Sequence, residues 1–319
     1  VKMSMKATGV PGGRGMESGS GVLSVERSGE RPLRVAAIGS EGPHHLYLYS
    51  VLAGRFDLTG VIVEQGDRWH KRLLRRRRYR DWFYRLVHEY RQKLHGYRRY
   101  REAFFAELGP HTPPETVVRV PSVNAPEAAR ALLDWDPDIT IVFAVSILGD
   151  ATLKAAGTAI NVHAGCLPRY RGNQGIFMAL YRGDEGNAGA SLHLVRRRVD
   201  AGPLLAVLHA PVAPDDTEEM VWCRALKGAI DELVDLLGTL ERGGTVPYQA
   251  QPPGGHAIRN RDRGLRTDLV CAWRRLRRHR LTPYAEWRIE RPENGFHSAP
   301  SEPDDPSPGS RRRRRDRST

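Results

Sequence analysis

Short apolar runs bounded by turn residues recur through the middle of the chain, and segments of helical periodicity separate them. The first run, Leu33-Arg-Val-Ala-Ala-Ile38, ends in Gly39-Ser-Glu-Gly42 and leads into an apolar-periodic stretch from His45 to Ala53. This predicts strand, turn and helix. A second run spans Leu58 to Val63. Further on, Ile139 to Val145 reads as a strand preceded by a helix over Ala125 to Leu133 and the turn Asp136-Pro137-Asp138, and Ala159 to Val162 and Ala190 to Val195 supply two more strands. Runs of this kind, alternating with helices, predict an α/β fold: a mostly parallel, twisted sheet covered by helices on both faces. Asp215-Asp216-Thr217, followed by Glu218 and Glu219, puts capping acceptors and negative charge at a helix start, and Gly243-Gly244 stops that helix after Arg242.

One segment breaks the alternation. Residues 68–108 are laced with arginine and aromatic residues and read as a helical insertion after the second strand. Between Arg68 and Arg101 it carries fourteen lysines and arginines against Asp81 and Glu89, which accounts for nearly all of the chain's net charge of +13. The high isoelectric point therefore describes one element, suited to phosphates, nucleic acid, a membrane surface or plain solvent, and not the core. Both ends are rich in Gly, Ser, Pro and charge, a composition that buries too little apolar surface to offset ordering entropy. The expected organisation is a disordered leader over 1–31, a folded domain over 32–252 with the basic insertion at 67–110, a helical extension over 253–291 and a disordered basic tail over 292–319.

The chain of 319 residues is 40% apolar, enough for a substantial core. It holds no apolar stretch of membrane-spanning length and no secretory pattern at its start, and Cys166, Cys223 and Cys271 are odd in number and widely spaced. These features predict a cytoplasmic protein without a disulfide framework or a cysteine-based metal site.

In open α/β sheets, ligands sit beyond the carboxyl ends of the strands. Asn161 and His163 lie there, and an extended Asn-x-His turns both side chains to one face because strand side chains alternate. An amide donor beside an imidazole suits a developing oxyanion, with the ring stabilising charge or moving a proton. Asp200 follows the strand-like Ala190 to Val195 and precedes Ala201-Gly202-Pro203, a turn that leaves its carboxylate at the same edge, where it can orient His163 or take a proton. Taken alone, Asn-x-His reads as two polar residues satisfying loop backbone, and an Asp before Ala-Gly-Pro as a turn residue.

Taken in order, Asn161-Val-His163, Leu167-Pro-Arg-Tyr-Arg-Gly172, Gly183-Asp184, Val199-Asp200-Ala-Gly-Pro203 and Asp215-Asp216-Thr217 resemble the catalytic domain of the folate-dependent formyltransferases, over residues 32–66 and 115–252. That family includes methionyl-tRNA, glycinamide ribonucleotide and amino-sugar formyltransferases and hydrolases of 10-formyltetrahydrofolate. The resemblance implies a Rossmann-like fold, 10-formyltetrahydrofolate as co-substrate, no metal, and Asn161, His163 and Asp200 as catalytic residues. It further implies that the folate is held on Ser146, Ile147 and Leu148 and on Arg196, Arg197, Arg198 and Val199. The alternative reading makes Ile147 and Leu148 core and the arginines a solvated loop.

Departures from the family pattern bear on the acceptor. Glu41 sits in the loop after the first strand, where a carboxylate repels a phosphate. Few residues follow Gln251 before the Pro-rich tail, fewer than a separate tRNA-binding barrel needs. Ala164-Gly165-Cys166 replaces the more usual Pro-Ser-Leu. These point to a small-molecule amine as acceptor: an amino sugar, an amino acid or a specialised metabolite. Two rivals stand beside this reading: hydrolysis of 10-formyltetrahydrofolate at the same site, and polyanion binding in which the segment 68–101 contacts nucleic acid or a membrane. For that segment, an amphipathic cover or a homodimer face is the favoured expectation.

Overall fold

The structure is a computed structural model and describes residues 19–25, 31–65, 69–109, 111, 114–252, 255–276, 281–284 and 286–296. The chain runs through β1 (Gly21–Leu23), β2 (Arg34–Gly39), α1 (Pro43–Arg55) and β3 (Asp57–Glu64). The insertion follows as α2 (Trp69–Arg75), α3 (Tyr79–Leu94) and α4 (Tyr97–Glu107). Next come β4 (Val117–Val120), α5 (Pro126–Trp135), β5 (Ile139–Phe143), α6 (Asp150–Ala156) and β6 (Ala159–His163). The remainder is β7 (Tyr170–Gly172), α7 (Gly175–Arg182), β8 (Gly189–Leu194), β9 (Leu204–His209), α8 (Glu218–Glu241), β10 (Val246–Tyr248), β11 (His256–Ile258), α9 (Leu265–Leu276) and β12 (Arg288–Glu290).

Eight strands form the main sheet in the order β12-β9-β8-β6-β5-β2-β3-β4. From β4 to β6 all pairings are parallel, whereas β8, β9 and β12 pair antiparallel. The sheet is thus mostly parallel, of Rossmann-like α/β type. Every residue of β5 is buried, as it must be when helices cover both faces of a parallel sheet. The chain winds from β2 outward to β3 and β4, then returns to β5 and β6 on the other side. That reversal opens a crevice at the carboxyl ends of the strands, where the loops after β2, β5 and β6 gather.

Helix α8 is the main buttress on one face. Thr217 caps it by accepting from the Met220 backbone N–H at 3.3 Å, with Glu218 and Glu219 in the first turn. Val221, Ala225, Leu226, Ala229, Leu233, Leu237 and Leu240 recur at helical spacing and are fully buried. The helix ends one residue before Arg242, and Gly243 takes the left-handed conformation (φ 77°) that a side chain resists.

Three features differ from the sequence-based expectation. Residues 21–23, assigned there to a disordered leader, form β1 and pair with β10, and Leu23 and Val25 are buried in the core. Backbone pairing and two apolar side chains suffice to hold a segment whose composition is otherwise polar. The extension over 253–291 is not purely helical, since it contributes β11, paired with β7, and β12, which lengthens the main sheet. The part of the expected tail that is described, residues 292–296, includes a short helical turn and places Phe296 against Leu204 and Val207. The rest of both expected tails lies outside the described residues.

The insertion is helical, as its composition predicts, and its arginines partly face inward. Phe105 and Tyr97 are buried, Arg101 pairs with Glu219 at 2.6 Å and lies 4.1 Å from the centre of the Trp222 ring, and Arg91 pairs with Asp268 of α9. Among the described residues, no helix is long and apolar enough to cross a membrane.

The role of β1 is testable. Leu23→Ala is expected to lower the unfolding free energy by about 2–5 kcal/mol, measured by urea denaturation, because it leaves a cavity in the buried core beside β10. An unchanged midpoint would mean that the leader is dispensable to the fold.

Candidate active site

Asn161 and His163 are two residues apart on β6 and so share a face of the sheet. The neighbouring strand β8 runs antiparallel, with Asn161 opposite His193 and His163 opposite Ser191. Asn161 Nδ2 donates to His193 Nε2 at 2.9 Å, and His193 Nδ1 donates to the Leu194 carbonyl at 3.0 Å. The backbone bond thereby sets the tautomer of His193 and leaves Nε2 as an acceptor. Burial pushes His193 down to about 4, with the nearby His163 ring adding to the effect, so it is neutral at physiological pH.

His163 is buried, and its Nε2 donates to the Tyr170 carbonyl at 3.1 Å, which directs Nδ1 toward Asp200 Oδ1, 3.7 Å away. The same carboxylate oxygen lies 3.8 Å from His193 Nε2. One carboxylate thus faces two imidazoles at ion-pair rather than hydrogen-bond distance. Asp200 itself adopts a left-handed backbone (φ 49°), and its Oδ2 accepts from the Gly172 N–H at 2.9 Å. Gln251 braces this turn by donating to the carbonyls of Asp200 and Gly202 at 2.9 and 2.8 Å, while its own oxygen accepts from Arg171 at 2.9 Å. Two glycines are sterically required here. A Cβ on Gly202 would lie 1.7 Å from the Leu194 carbonyl oxygen, and one on Gly165 would lie 2.7 Å from the Tyr170 oxygen and 3.0 Å from His163 Nε2.

Asn161, His163 and Asp200 therefore converge, although they come from two segments of the chain. Sequence reasoning did not single out His193, Gln251 or the Tyr170 carbonyl. The signal for His193 was its alternation with Ser191 along a buried strand, but the register that sets it against Asn161 is a property of the sheet.

The two loops assigned to the folate flank this group. Ser146 N–H donates to Glu64 at 2.8 Å, while the Ser146 hydroxyl is buried without a hydrogen-bond partner. Ile147 is 65% exposed and Val199 48% exposed, two apolar side chains held out at the loop rims, so Ile147 is not core. Leu148 does pack against the second core cluster. Asn124 fixes the first loop, donating to the Ile147 carbonyl at 2.9 Å and accepting from the Gly149 N–H at 2.6 Å. Arg197 Nε donates to Asp150 at 2.8 Å and so bridges the two loops, Arg196 turns back to the Val195 carbonyl, and Arg198 is exposed. In the loop after β2, Glu41 pairs with Arg119 at 2.9 Å, which offsets its charge. Behind that loop, His44 and His45 are buried with their Nδ1 atoms unpartnered, His44 well below its ordinary range and His45 pushed to about 4, both mainly by burial.

A cavity of about 1090 Å³ opens elsewhere, between α7, the start of α8 and α9, and is lined by none of the three residues. It is connected to them through Arg263, which lines the cavity and donates to Gln174 at 2.9 Å, two residues beyond the Gly172 N–H that holds Asp200. Among the described residues, no three His, Cys, Asp or Glu side chains are grouped so as to hold a metal ion.

The fold and this site define an α/β protein with a histidine and carboxylate centre at the crevice edge. The sequence profile of the formyl transferase family matches residues 69–236, just over half of the chain and the span that contains Asn161, His163, His193 and Asp200; the chain belongs to that family. The matched span runs through the basic insertion, which the motif comparison had left outside it. Methionyl-tRNA formyltransferase of Methylococcus capsulatus is 29% identical over 177 residues, 53% of this chain and 57% of the relative. That of Burkholderia multivorans is 35% identical over 134 residues, 41% of each. The chain thus spans about half the length of the curated relatives it matches. Among solved structures, phosphoribosylglycinamide formyltransferase of Anaplasma phagocytophilum is 17% identical, with 72% of this chain and 98% of that chain covered and a TM-score of 0.47.

The buried histidines give a pH dependence. His45, His88 and His193 fall from 6.5 to about 4 in the folded protein, and His44 is lowered as well. The unfolded chain binds these protons first, so their contribution to stability is present above 6.5 and is lost as pH falls toward about 4. Urea midpoints measured across this window should drop on acidification, and His88→Gln should flatten the slope. A stability independent of pH over the window would show that these rings are not held neutral.

Proposed function

We propose that the chain transfers a formyl group from 10-formyltetrahydrofolate to the amine of a small molecule. The observation that carries this reading is the convergence of Asn161, His163 and Asp200 within the span shared with the family. Ser146 to Leu148 and Arg196 to Val199 would hold the folate. The buried, unpartnered Ser146 hydroxyl and the outward Ile147 and Val199 are what a polar, aromatic ligand between two loops requires. The bound co-substrate supplies the electrophilic formyl carbon.

In this reading, the Asn161 amide donates to the formyl oxygen as negative charge develops there, and His193 keeps that amide oriented through its neutral Nε2. His163 stabilises the same charge and carries the proton released by the attacking amine to the tetrahydrofolate nitrogen, whose bond to the formyl carbon breaks as the new amide forms. Asp200 faces His163 Nδ1 and orients the ring. The acceptor is an amino sugar, an amino acid or a specialised metabolite, and the cavity beside Arg263 offers room for the part of it remote from the amine.

Purified protein incubated with 10-formyltetrahydrofolate and a panel of amines should yield tetrahydrofolate and a formylated amine, followed by absorbance and mass spectrometry. Asn161→Ala and His163→Ala should each lower kcat by about 10²- to 10³-fold, with Asp200→Asn also strongly impaired. Formate release at a rate indifferent to every amine would replace this reading by hydrolysis. An unchanged co-substrate across the panel would overturn both.

A further inference from the structure

Helix α3 turns Arg91 inward and an apolar stripe outward. Tyr79, Phe83, Leu86, Tyr90 and Leu94 follow one another at intervals of three or four residues and therefore form a single stripe along the helix. All five are exposed, at 60, 49, 44, 67 and 68%. On the opposite side, Arg91 is buried against Asp268 and His88 is drawn into the protein, where burial and the surrounding arginines push it down to about 4. A helix that served only to cover the core would present the reverse arrangement. A solvent-facing stripe of two tyrosines, a phenylalanine and two leucines marks a contact surface.

The charge around the stripe identifies what it contacts. At one end, Arg75 to Arg78 and Arg80 are all exposed; at the other, Lys93, Arg98 and Arg99 are exposed. The neighbouring carboxylates are already engaged: Asp81 with Arg78, Glu89 with Arg85 and His70, and Glu102 with Arg98. Two copies of the chain meeting through this face would oppose positive ends to positive ends in either a parallel or an antiparallel crossing. The partner is therefore anionic. A nucleic acid would use the arginines and aromatic rings but would leave Leu86 and Leu94 facing its backbone, whereas the boundary of an anionic bilayer takes up aromatic and aliphatic side chains together and attracts the flanking arginines.

From this complementarity we infer that α3 and the preceding arginine turn dock the protein on an anionic lipid surface, with the stripe seated at the headgroup boundary and Arg75 to Arg80 against the lipid phosphates. Such docking is peripheral and reversible, and added salt weakens it.

Co-sedimentation of the full chain with vesicles tests this. Binding is expected to vesicles containing phosphatidylglycerol and not to vesicles of phosphatidylcholine alone. Replacing Arg75 and Arg76 by Ala should lower vesicle affinity by about tenfold or more, and Phe83→Glu with Leu86→Glu and Tyr90→Glu should abolish binding. These positions are exposed, so the thermal midpoint should be preserved, and the milder Phe83→Leu with Leu86→Ile variant should still bind. Three results would overturn the inference: no preference for anionic vesicles; RNA binding in a gel-shift assay that is lost in the arginine variant while vesicles are ignored; or a dimer in light scattering that the glutamate variant converts to monomer.

Discussion

Antiparallel pairing of β6 with β8 is the constraint on which the site depends. In a parallel pair the next strand would have arrived by a crossover, and the loop after it would have lain at the carboxyl end of β6. Because β8 instead runs back along β6, His193 lies against Asn161 and the strand ends beside Ile160; the loop that follows carries Asp200 back to within 3.7 Å of His163. The turn is held by backbone and amide contacts, from the Gly172 N–H and from Gln251, so the carboxylate is positioned independently of the ring it faces.

The same site contains two imidazoles with different surroundings. His193 is enclosed, donates to backbone and is held neutral, whereas His163 faces the carboxylate through a free ring nitrogen. The two rings thus have different neighbours: His193 is bonded to the Asn161 amide, and His163 faces the Asp200 carboxylate. Gly165 and Gly202 permit this crowding, since any side chain there would displace the Tyr170 or Leu194 carbonyl.

The basic insertion combines integration with display. Arg91 and Arg101 reach into the domain as partners for Asp268 and Glu219, with Trp222 stacked on Arg101, and the C-terminal extension meets α3 through Asp268 and α8 through Arg263, which pairs with Glu218. Burying one arginine of a pair without its carboxylate would be strongly unfavourable, so insertion and extension depend on each other. With Arg91 and Arg101 turned inward, the outside carries the apolar stripe of α3 and the exposed arginines at its ends.

Much of the fold was legible in the apolar runs, because a strand buried on both faces has to be apolar throughout: Leu33 to Ile38, Leu58 to Val63 and Ile139 to Val145 each overlap an observed strand. Capping chemistry located α8 for the same local reason. Asn161, His163 and Asp200 were readable as a group only through ordered motifs, since nothing local brings residues almost forty positions apart together. Composition misjudged residues 21–23, whose order comes from pairing with β10 more than two hundred residues away. The sequence by itself determined which segments are strands and helices and which polar residues end up at strand ends, because those depend on side-chain periodicity and backbone preference. Tertiary structure alone decided that His193 orients Asn161, that Asp200 lies between two histidines, and that α3 wears its apolar face outward, because register and packing direction are set by contacts between segments far apart in the chain.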